Sequence, residues 1–213
     1  MKSLELFCGT KSFTKNISSR CEEVITLDFC KDFNPTICCD ILDWDYTQFK
    51  PYYFDIIWAS PNCKEWSTAN TIRREFRLDR IERSRSVVKK VLEIIDYFKP
   101  KYWVIENPQT GRLKNEEFMK SLPYVDADYC RYGFSYRKRT RFWTNIKWKS
   151  RPLCNKKNGY CKSKLQNIEK TKRIAHPHGF GSGYSTYSDG ETKGYKNKIM
   201  IPNSLINEII DCL

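Results

Sequence analysis

Two short segments combine side chains that could perform covalent chemistry on a bound substrate. Residues 60–67 read Ser-Pro-Asn-Cys-Lys-Glu-Trp-Ser and place Cys63 in a turn, where a thiolate would be a strong nucleophile near neutral pH. Residues 106–108 read Glu-Asn-Pro, and the carboxyl group of Glu106 could hold or donate a proton. Taken alone, Cys63 would more often be a small buried residue, but its combination with Glu106 favours a catalytic role.

A second group of residues is typical of a nucleotide-type cofactor site. Gly9 follows the first apolar run and would let the backbone approach a ligand closely. Asp28 ends the next run, where a carboxylate can accept hydrogen bonds from ribose hydroxyls. Asp40 follows a short Ile-Cys-Cys run and could bind an adenine amino group. Each residue alone is more often an ordinary turn residue, so their order along the chain carries the interpretation.

The elements that must position these residues alternate between strand and helix patterns. Apolar residues at helical spacing predict a helix over residues 81–98, which Pro100 ends. Ligands bind beyond the carboxyl ends of strands in open α/β sheets, so Cys63 and Glu106 are expected at one edge. The sequence therefore predicts an α/β fold with a mainly parallel sheet and helices on both faces. The predicted strands are residues 4–7, 23–28, 54–59 and 101–106.

The charge distribution points to a polyanionic partner. The chain has 38 Lys and Arg against 25 Asp and Glu, a formal net charge of +13. Fourteen basic residues and one acidic residue fall between Arg137 and Arg173, so this window carries a charge equal to that of the whole chain. Phosphates bind such segments through ion pairing and counterion release. A basic protein without a polyanionic partner stays open on charge alone.

The chain divides into three predicted parts: a catalytic and cofactor-binding core over residues 1–145, a small basic recognition region over 146–195, and a C-terminal helix within 196–213. No apolar run is long enough to span a membrane and no secretory segment opens the chain, so we expect an intracellular protein. Its ten cysteines are then expected to be reduced thiols. A zinc site is not favoured, since no CxxC pair occurs among the candidate ligands Cys154, Cys161, His176 and His178.

The order of these motifs resembles the cytosine-C5 DNA methyltransferase family, over residues 4–145 and the C-terminal helix. The short length is similar to that of the compact enzymes of large DNA viruses, iridoviruses especially, and of some phages. The family's two further cofactor-turn glycines are replaced here by Lys11 and Ser12. The matching segments are Phe7-Cys8-Gly9, Asn62-Cys63 with Trp66-Ser67, Glu106-Asn107-Pro108, Arg137-Lys138-Arg139-Thr140-Arg141, and Asn203-Ser204.

The resemblance implies a Rossmann-like S-adenosylmethionine-dependent methyltransferase fold and a covalent mechanism on double-stranded DNA. Cys63 would attack C6 of a flipped cytosine, and Glu106 would contact N3 and the exocyclic amine. Asn107 would support the loop that carries Cys63. Arg139 and Arg141 would position the base and the thiolate, with Arg141 at the carbonyl oxygen.

The same resemblance supplies the expected binding residues. Base-specific contacts would come from residues 146–195, and similar viral enzymes suggest CpG as the site. The arginine-rich segment after Cys63 would close over DNA, or would be a solvated helix face paired with local acids. The expected S-adenosylmethionine contacts are Phe7, Cys8, Gly9, Thr10, Asp28, Phe29, Asp40, Ile41, Ser60, Asn203 and Ser204. The expected nucleic-acid contacts are Arg73, Arg74, Arg77, Arg137 and Lys138.

Two other functions stay open from the sequence. One branch of the same family methylates tRNA with the same catalytic core, and the altered cofactor turn would also suit a catalytically silent nucleic-acid-binding protein. A monomer is the favoured oligomeric state.

Overall fold

The structure is a computed structural model whose central feature is a seven-stranded mixed sheet. The backbone alone is described for residues 74–77, 166–168 and 173–175. The described residues are 1–67, 74–134, 136–155, 166–168, 173–175 and 200–213.

The sheet has the strand order β3-β2-β1-β4-β5-β7-β6. Strands β1 to β5 are parallel, and β7 runs antiparallel to both β5 and β6. A separate antiparallel pair lies in the predicted recognition region. The sheet strands are β1 (Lys2–Leu6), β2 (Glu23–Asp28), β3 (Ile37–Cys38), β4 (Ile56–Ala59), β5 (Tyr102–Pro108), β6 (Tyr124–Asp128) and β7 (Arg139–Thr144), and the pair is β8 (Gln166–Ile168) with β9 (Arg173–Ala175).

Helices cover both faces of this sheet, since its central strands carry apolar side chains on both faces. In β4, Ile56 and Trp58 point to one face, whereas Ile57 and Ala59 point to the other. On the first face, Phe13 of α1 stacks on Trp58 with 4.9 Å between ring centroids, and α4 packs beside α1. On the second face lies α2. Among the described residues, the helices are α1 (Ser12–Ile17), α2 (Arg74–Phe98), α3 (Glu117–Lys120) and α4 (Asn203–Ile210).

The predicted fold class, a mainly parallel sheet with helices on both faces, is confirmed. The helix predicted over residues 81–98 starts seven residues earlier, at Arg74, because the arginine-rich first turns lack an apolar stripe. Strands β6 and β7 were not predicted, since their charged residues hide the alternation of buried positions. Within the described residues, no helix is long and apolar enough to cross a membrane.

Candidate active site

The turn that carries Cys63 lies at the carboxyl end of β4, next to the end of β5. The two strands are parallel with Ala59 opposite Ile105, so the turn begins beside Glu106. The buried side chain of Asn107 donates a hydrogen bond from Nδ2 to the carbonyl oxygen of Pro61 at 2.9 Å. This contact fastens the Cys63 turn to the end of β5.

A second contact shapes the same turn from within. Asn62 Oδ1 accepts a hydrogen bond from the backbone N–H of Lys64 at 2.9 Å, which forms a local turn around Cys63. Asn62 stands where the family has proline, and its side chain fixes this turn by hydrogen bonding. Cys63 itself is half-buried.

Glu106 lies in a buried polar cluster beside Cys63, with its side chain 8% exposed. Its Oε1 accepts a hydrogen bond from the hydroxyl of Tyr129 at 3.1 Å and lies 3.4 Å from Nζ of Lys138. The Lys138 side chain is 7% exposed, and its ammonium group lies 4.9 Å from the centroid of the Tyr129 ring. Two polar side chains are therefore grouped around one carboxylate oxygen of Glu106.

The electrostatics of this cluster set the protonation of the thiol. Burial raises the pKa of the Cys63 thiol above its ordinary value, Lys138 acts to lower it, and Glu106 raises it further. Burial acts to lower the pKa of Lys138, but the negative charges of Glu106 and Cys63 outweigh it and raise that pKa. Burial and the charge of Glu106 keep the pKa of Tyr129 well above its ordinary value, so its hydroxyl stays a donor.

A pocket of about 420 Å³ lies beside this cluster at the carboxyl ends of β1, β2 and β3. Its walls include Phe7, Phe29, Asp40 and Ile41, four of the residues that were expected to bind the cofactor. Phe29 is 72% exposed, so one aromatic face is open to a ligand. The remaining lining residues include Pro61 and Asn62 of the Cys63 turn, together with Arg80 and Arg83 of α2.

The comparisons with known proteins agree with this geometry. The chain matches the model of the C-5 cytosine-specific DNA methylase family over residues 1–124. It is also 37% identical, over 158 residues, to a protein named as a DNA (cytosine-5)-methyltransferase of Frog virus 3 (isolate Goorha), an alignment that covers 68% of this chain and 71% of the relative. The chain belongs to the C-5 cytosine-specific DNA methylase family.

A solved structure supports the fold of this methylase. A crystal structure described as a DNA modification methyltransferase encoded within an E. coli prophage superimposes with a TM-score of 0.50 at 12% sequence identity. The match covers 68% of this chain, and the chain spans about half (46%) of the length of the prophage protein.

Two arginines of this methylase, which the resemblance assigned to the base and the thiolate, bind aspartates of the sheet. Arg139 donates two hydrogen bonds to the carboxylate of Asp128, from Nε at 3.0 Å and from Nη2 at 2.8 Å. Arg141 binds Asp126 in the same way, at 2.8 and 2.9 Å. These ion pairs are direct cross-strand neighbours on β6 and β7. Because Glu106 is opposite Phe142, strand alternation turns both arginines to the face away from Glu106.

The expected nucleic-acid contacts divide between several places. Lys138, directly before β7, is buried beside Glu106 with its side chain 7% exposed. Arg137 is exposed and donates a hydrogen bond to the carbonyl oxygen of Cys154 at 3.4 Å. Arg73 and the side chains of Arg74 and Arg77 lie outside the described residues.

The rest of the arginine-rich segment pairs with acids of the protein body. Arg83 binds Asp40, and Arg85 binds Glu116 at 2.9 Å. For these two residues, the interpretation of α2 as a helix with paired charges fits the structure better than free phosphate contacts.

Asp28 and the turn after β1 are joined by hydrogen bonds. Asp28 Oδ2 accepts a hydrogen bond from the backbone N–H of Gly9 at 3.0 Å, and Oδ1 accepts one from Cys30 at 2.9 Å. The turn uses left-handed backbone at Gly9 (φ 45°) and also at Lys11 (φ 57°), one of the positions where the family has glycine. The turn therefore keeps its conformation despite the missing glycine.

Several expected cofactor residues do not line the pocket. Cys8 is buried and Thr10 contacts Ser12 through their hydroxyls at 3.1 Å. Ser60 Oγ accepts a hydrogen bond from the Trp58 indole at 3.1 Å. Two more are at the start of α4, where Asn203 accepts a hydrogen bond from Asn16 at 3.1 Å and Ser204 donates to Tyr132 at 2.9 Å.

One residue of the site was not predicted from the sequence. Tyr129 lies in a short 3-10 turn after β6, and no sequence signal marked it as part of the site. Among the described residues, no group of three His, Cys, Asp or Glu could hold a metal ion. Of the zinc candidates, Cys154 is buried, and Cys161, His176 and His178 lie outside the described residues.

Proposed function

We propose that this methylase transfers the methyl group of S-adenosylmethionine to C5 of a cytosine flipped out of duplex DNA, with Cys63 as the covalent nucleophile. The observation that carries the proposal is the placement of Cys63 and Glu106 at neighbouring strand ends, beside a pocket that the Cys63 turn helps to line. DNA is favoured over tRNA because the frog virus relative is named for DNA.

The pocket fits S-adenosylmethionine in size and chemistry. A volume of about 420 Å³ lies within the range of small-molecule sites. The exposed ring of Phe29 provides a stacking surface for adenine. Asp40 supplies a carboxylate for the adenine amino group once Arg83, which binds it here, exchanges for the ligand. When bound, S-adenosylmethionine supplies the electrophilic methyl group.

The residues of the chain perform the remaining chemistry. The Cys63 thiolate adds to C6 of the cytosine, and the electron pair of the C5–C6 double bond moves into the ring. Glu106, a carboxylate in the free protein, takes up a proton from solvent when the base binds and passes it to N3, which neutralises the negative charge that this addition creates. C5 then becomes nucleophilic and takes the methyl group. Solvent water removes the C5 proton, the electron pair of that bond restores the C5–C6 double bond and expels the Cys63 sulfur as a thiolate, and N3 returns its proton to Glu106.

The DNA contacts belong to the basic surfaces of the chain. Arg137 is exposed near the site, and Arg73, Arg74 and Arg77 follow the nucleophile turn in the sequence. These side chains bind phosphates on either side of the flipped base. Residues 146–195 carry the base-specific contacts, and the short length of this region limits the recognised sequence to a few base pairs, with CpG as the first candidate.

The test is transfer of labelled methyl from S-adenosylmethionine to unmethylated duplex DNA that contains CpG, with tRNA as the second substrate. We expect label on cytosine of the DNA with the wild type and none with Cys63→Ser. Cys212→Ser is the matched control, because Cys212 is an exposed cysteine after α4. Transfer to tRNA alone, or undiminished transfer by Cys63→Ser, would refute the proposed function.

A further inference from the structure

The buried ammonium group of Lys138 lies beside Glu106, although the family resemblance assigned Lys138 to DNA contacts. Nζ of Lys138 is 3.4 Å from Oε1 of Glu106, and the Tyr129 hydroxyl donates to the same oxygen at 3.1 Å. The Lys138 side chain is only 7% exposed. A lysine is rarely buried to this extent without a partner that holds its charge, and here the partner is the catalytic carboxylate.

The other oxygen of Glu106 is left for a ligand. Among the described residues, Oε2 has no hydrogen-bond partner, whereas Oε1 is bound by two donors. Oε2 is also not fully buried, so a ligand can reach it. The carboxylate is therefore held by one oxygen and presents the other.

We propose that Lys138 is the positioning residue of this active site. Its ammonium group, together with the Tyr129 hydroxyl, fixes Oε1 of Glu106 so that Oε2 meets N3 of the base, and its positive charge favours the Cys63 thiolate. The part of this proposal that concerns the base rests on the proposed function. The arginines that the resemblance assigned to these tasks, Arg139 and Arg141, are bound by aspartates on the opposite face of β7.

The groups around the thiol allow this role to be measured. Lys138, directly before β7, and Glu106 of β5 both act on the Cys63 thiol through their charges, and Lys138 also lies near the Tyr129 ring and Tyr136. Both tyrosines are buried, and burial keeps the pKa of Tyr129 well above its ordinary value, so Tyr129 adds no charge. Lys138 is thus the positive group that these contacts place near the thiol, and its removal should make the thiolate harder to form.

The experiment follows alkylation of Cys63 by iodoacetamide as a function of pH, in the full chain without DNA or cofactor, with peptide mass spectrometry as the readout. In Lys138→Met we expect the midpoint of alkylation to rise by about one pH unit, because one adjacent positive charge is lost. In Lys138→Arg the midpoint should stay near that of the wild type. Lys101→Met is the matched control, since Lys101 is an exposed lysine directly before the first residue of β5, at the end of the strand opposite Glu106.

Equal midpoints for the wild type and Lys138→Met, or an arginine variant that behaves like the methionine variant, would overturn the proposal. Should Lys138→Met not fold, Glu106→Gln serves instead. There the charge of Lys138 is no longer offset by a carboxylate, so the midpoint should fall, and a midpoint that stays or rises would also overturn the proposal. Because these midpoints need neither DNA nor cofactor, failure of methyl transfer by the wild type counts separately, against the proposed function.

Discussion

Replacement of Asn107 by alanine should affect both stability and catalysis, because its side chain ties the Cys63 turn to β5. The side chain is fully buried and donates one hydrogen bond to the carbonyl of Pro61 at 2.9 Å. Leaving that carbonyl unpaired costs about 1–3 kcal/mol of folding free energy. A shift of about 1 Å in the position of the nucleophile costs roughly 10²-fold in rate. We therefore expect Asn107→Ala to lose about 2 kcal/mol of stability and roughly 10²-fold in the rate of methyl transfer.

The assay combines urea unfolding with single-turnover methyl transfer at saturating S-adenosylmethionine. Asn145→Ala is the control. The Asn145 side chain also hydrogen-bonds the backbone, accepting from the N–H of Trp103 at 3.0 Å and donating to the carbonyl oxygen of Lys101 at 2.9 Å. Asn145 is, however, exposed and lies at the other end of β5 from the Cys63 turn. The control should lose about 1 kcal/mol of stability and keep its rate of methyl transfer. An Asn107→Ala variant that transfers methyl as fast as the control would refute the reasoning.

Three further predictions follow from single side chains. Burial raises the pKa of Glu5 from 4.5 to about 7, so the folded state holds a proton that the unfolded state releases, and the free energy of unfolding should fall by about 3 kcal/mol as pH rises through that window. Urea unfolding at pH 5 and pH 8 should show a smaller fall for Glu5→Gln than for the wild type, and an equal fall would contradict this. Arg141→Gln should lower the free energy of unfolding by about 2 kcal/mol through loss of its ion pair with Asp126, yet leave the pH midpoint of Cys63 alkylation unchanged. A changed midpoint would show that Arg141 acts on the Cys63 thiol. Phe29→Ala should weaken S-adenosylmethionine binding roughly 10-fold in calorimetry without loss of stability, since the ring is 72% exposed; unchanged affinity would remove Phe29 from the cofactor site.

The sequence predicted the part of the fold that rests on apolar runs. Strands β1, β2, β4 and β5 are such runs, and a residue just past the end of a parallel strand must lie at the ligand-binding edge. Cys63 and Glu106 could therefore be predicted to lie at one edge of the sheet. It also predicted Phe29 and Asp40 at the pocket, because both follow strands of the same parallel set.

The rest of the site depends on strand register, which motif spacing does not reveal. Whether Lys138 or Arg139 faces Glu106 changes with a shift of one residue, and the pairing of Glu106 with Phe142 decides it. The aspartates on β6 that bind the arginines lie more than ten residues away in sequence. Tyr129 reaches Glu106 through tertiary packing alone, so local pattern could not predict it.

Covalent trapping tests Cys63 as the nucleophile most directly. A duplex containing 5-fluorocytosine carries fluorine at C5, which cannot leave as a proton does, so the adduct between the chain and the base should persist in the presence of S-adenosylmethionine. The account predicts a stable complex of one chain with the DNA, attached through the Cys63 peptide, for the wild type and Cys212→Ser and absent for Cys63→Ser. Methyl transfer to cytosine by a wild type that forms no such complex, or an adduct on another cysteine, would contradict it.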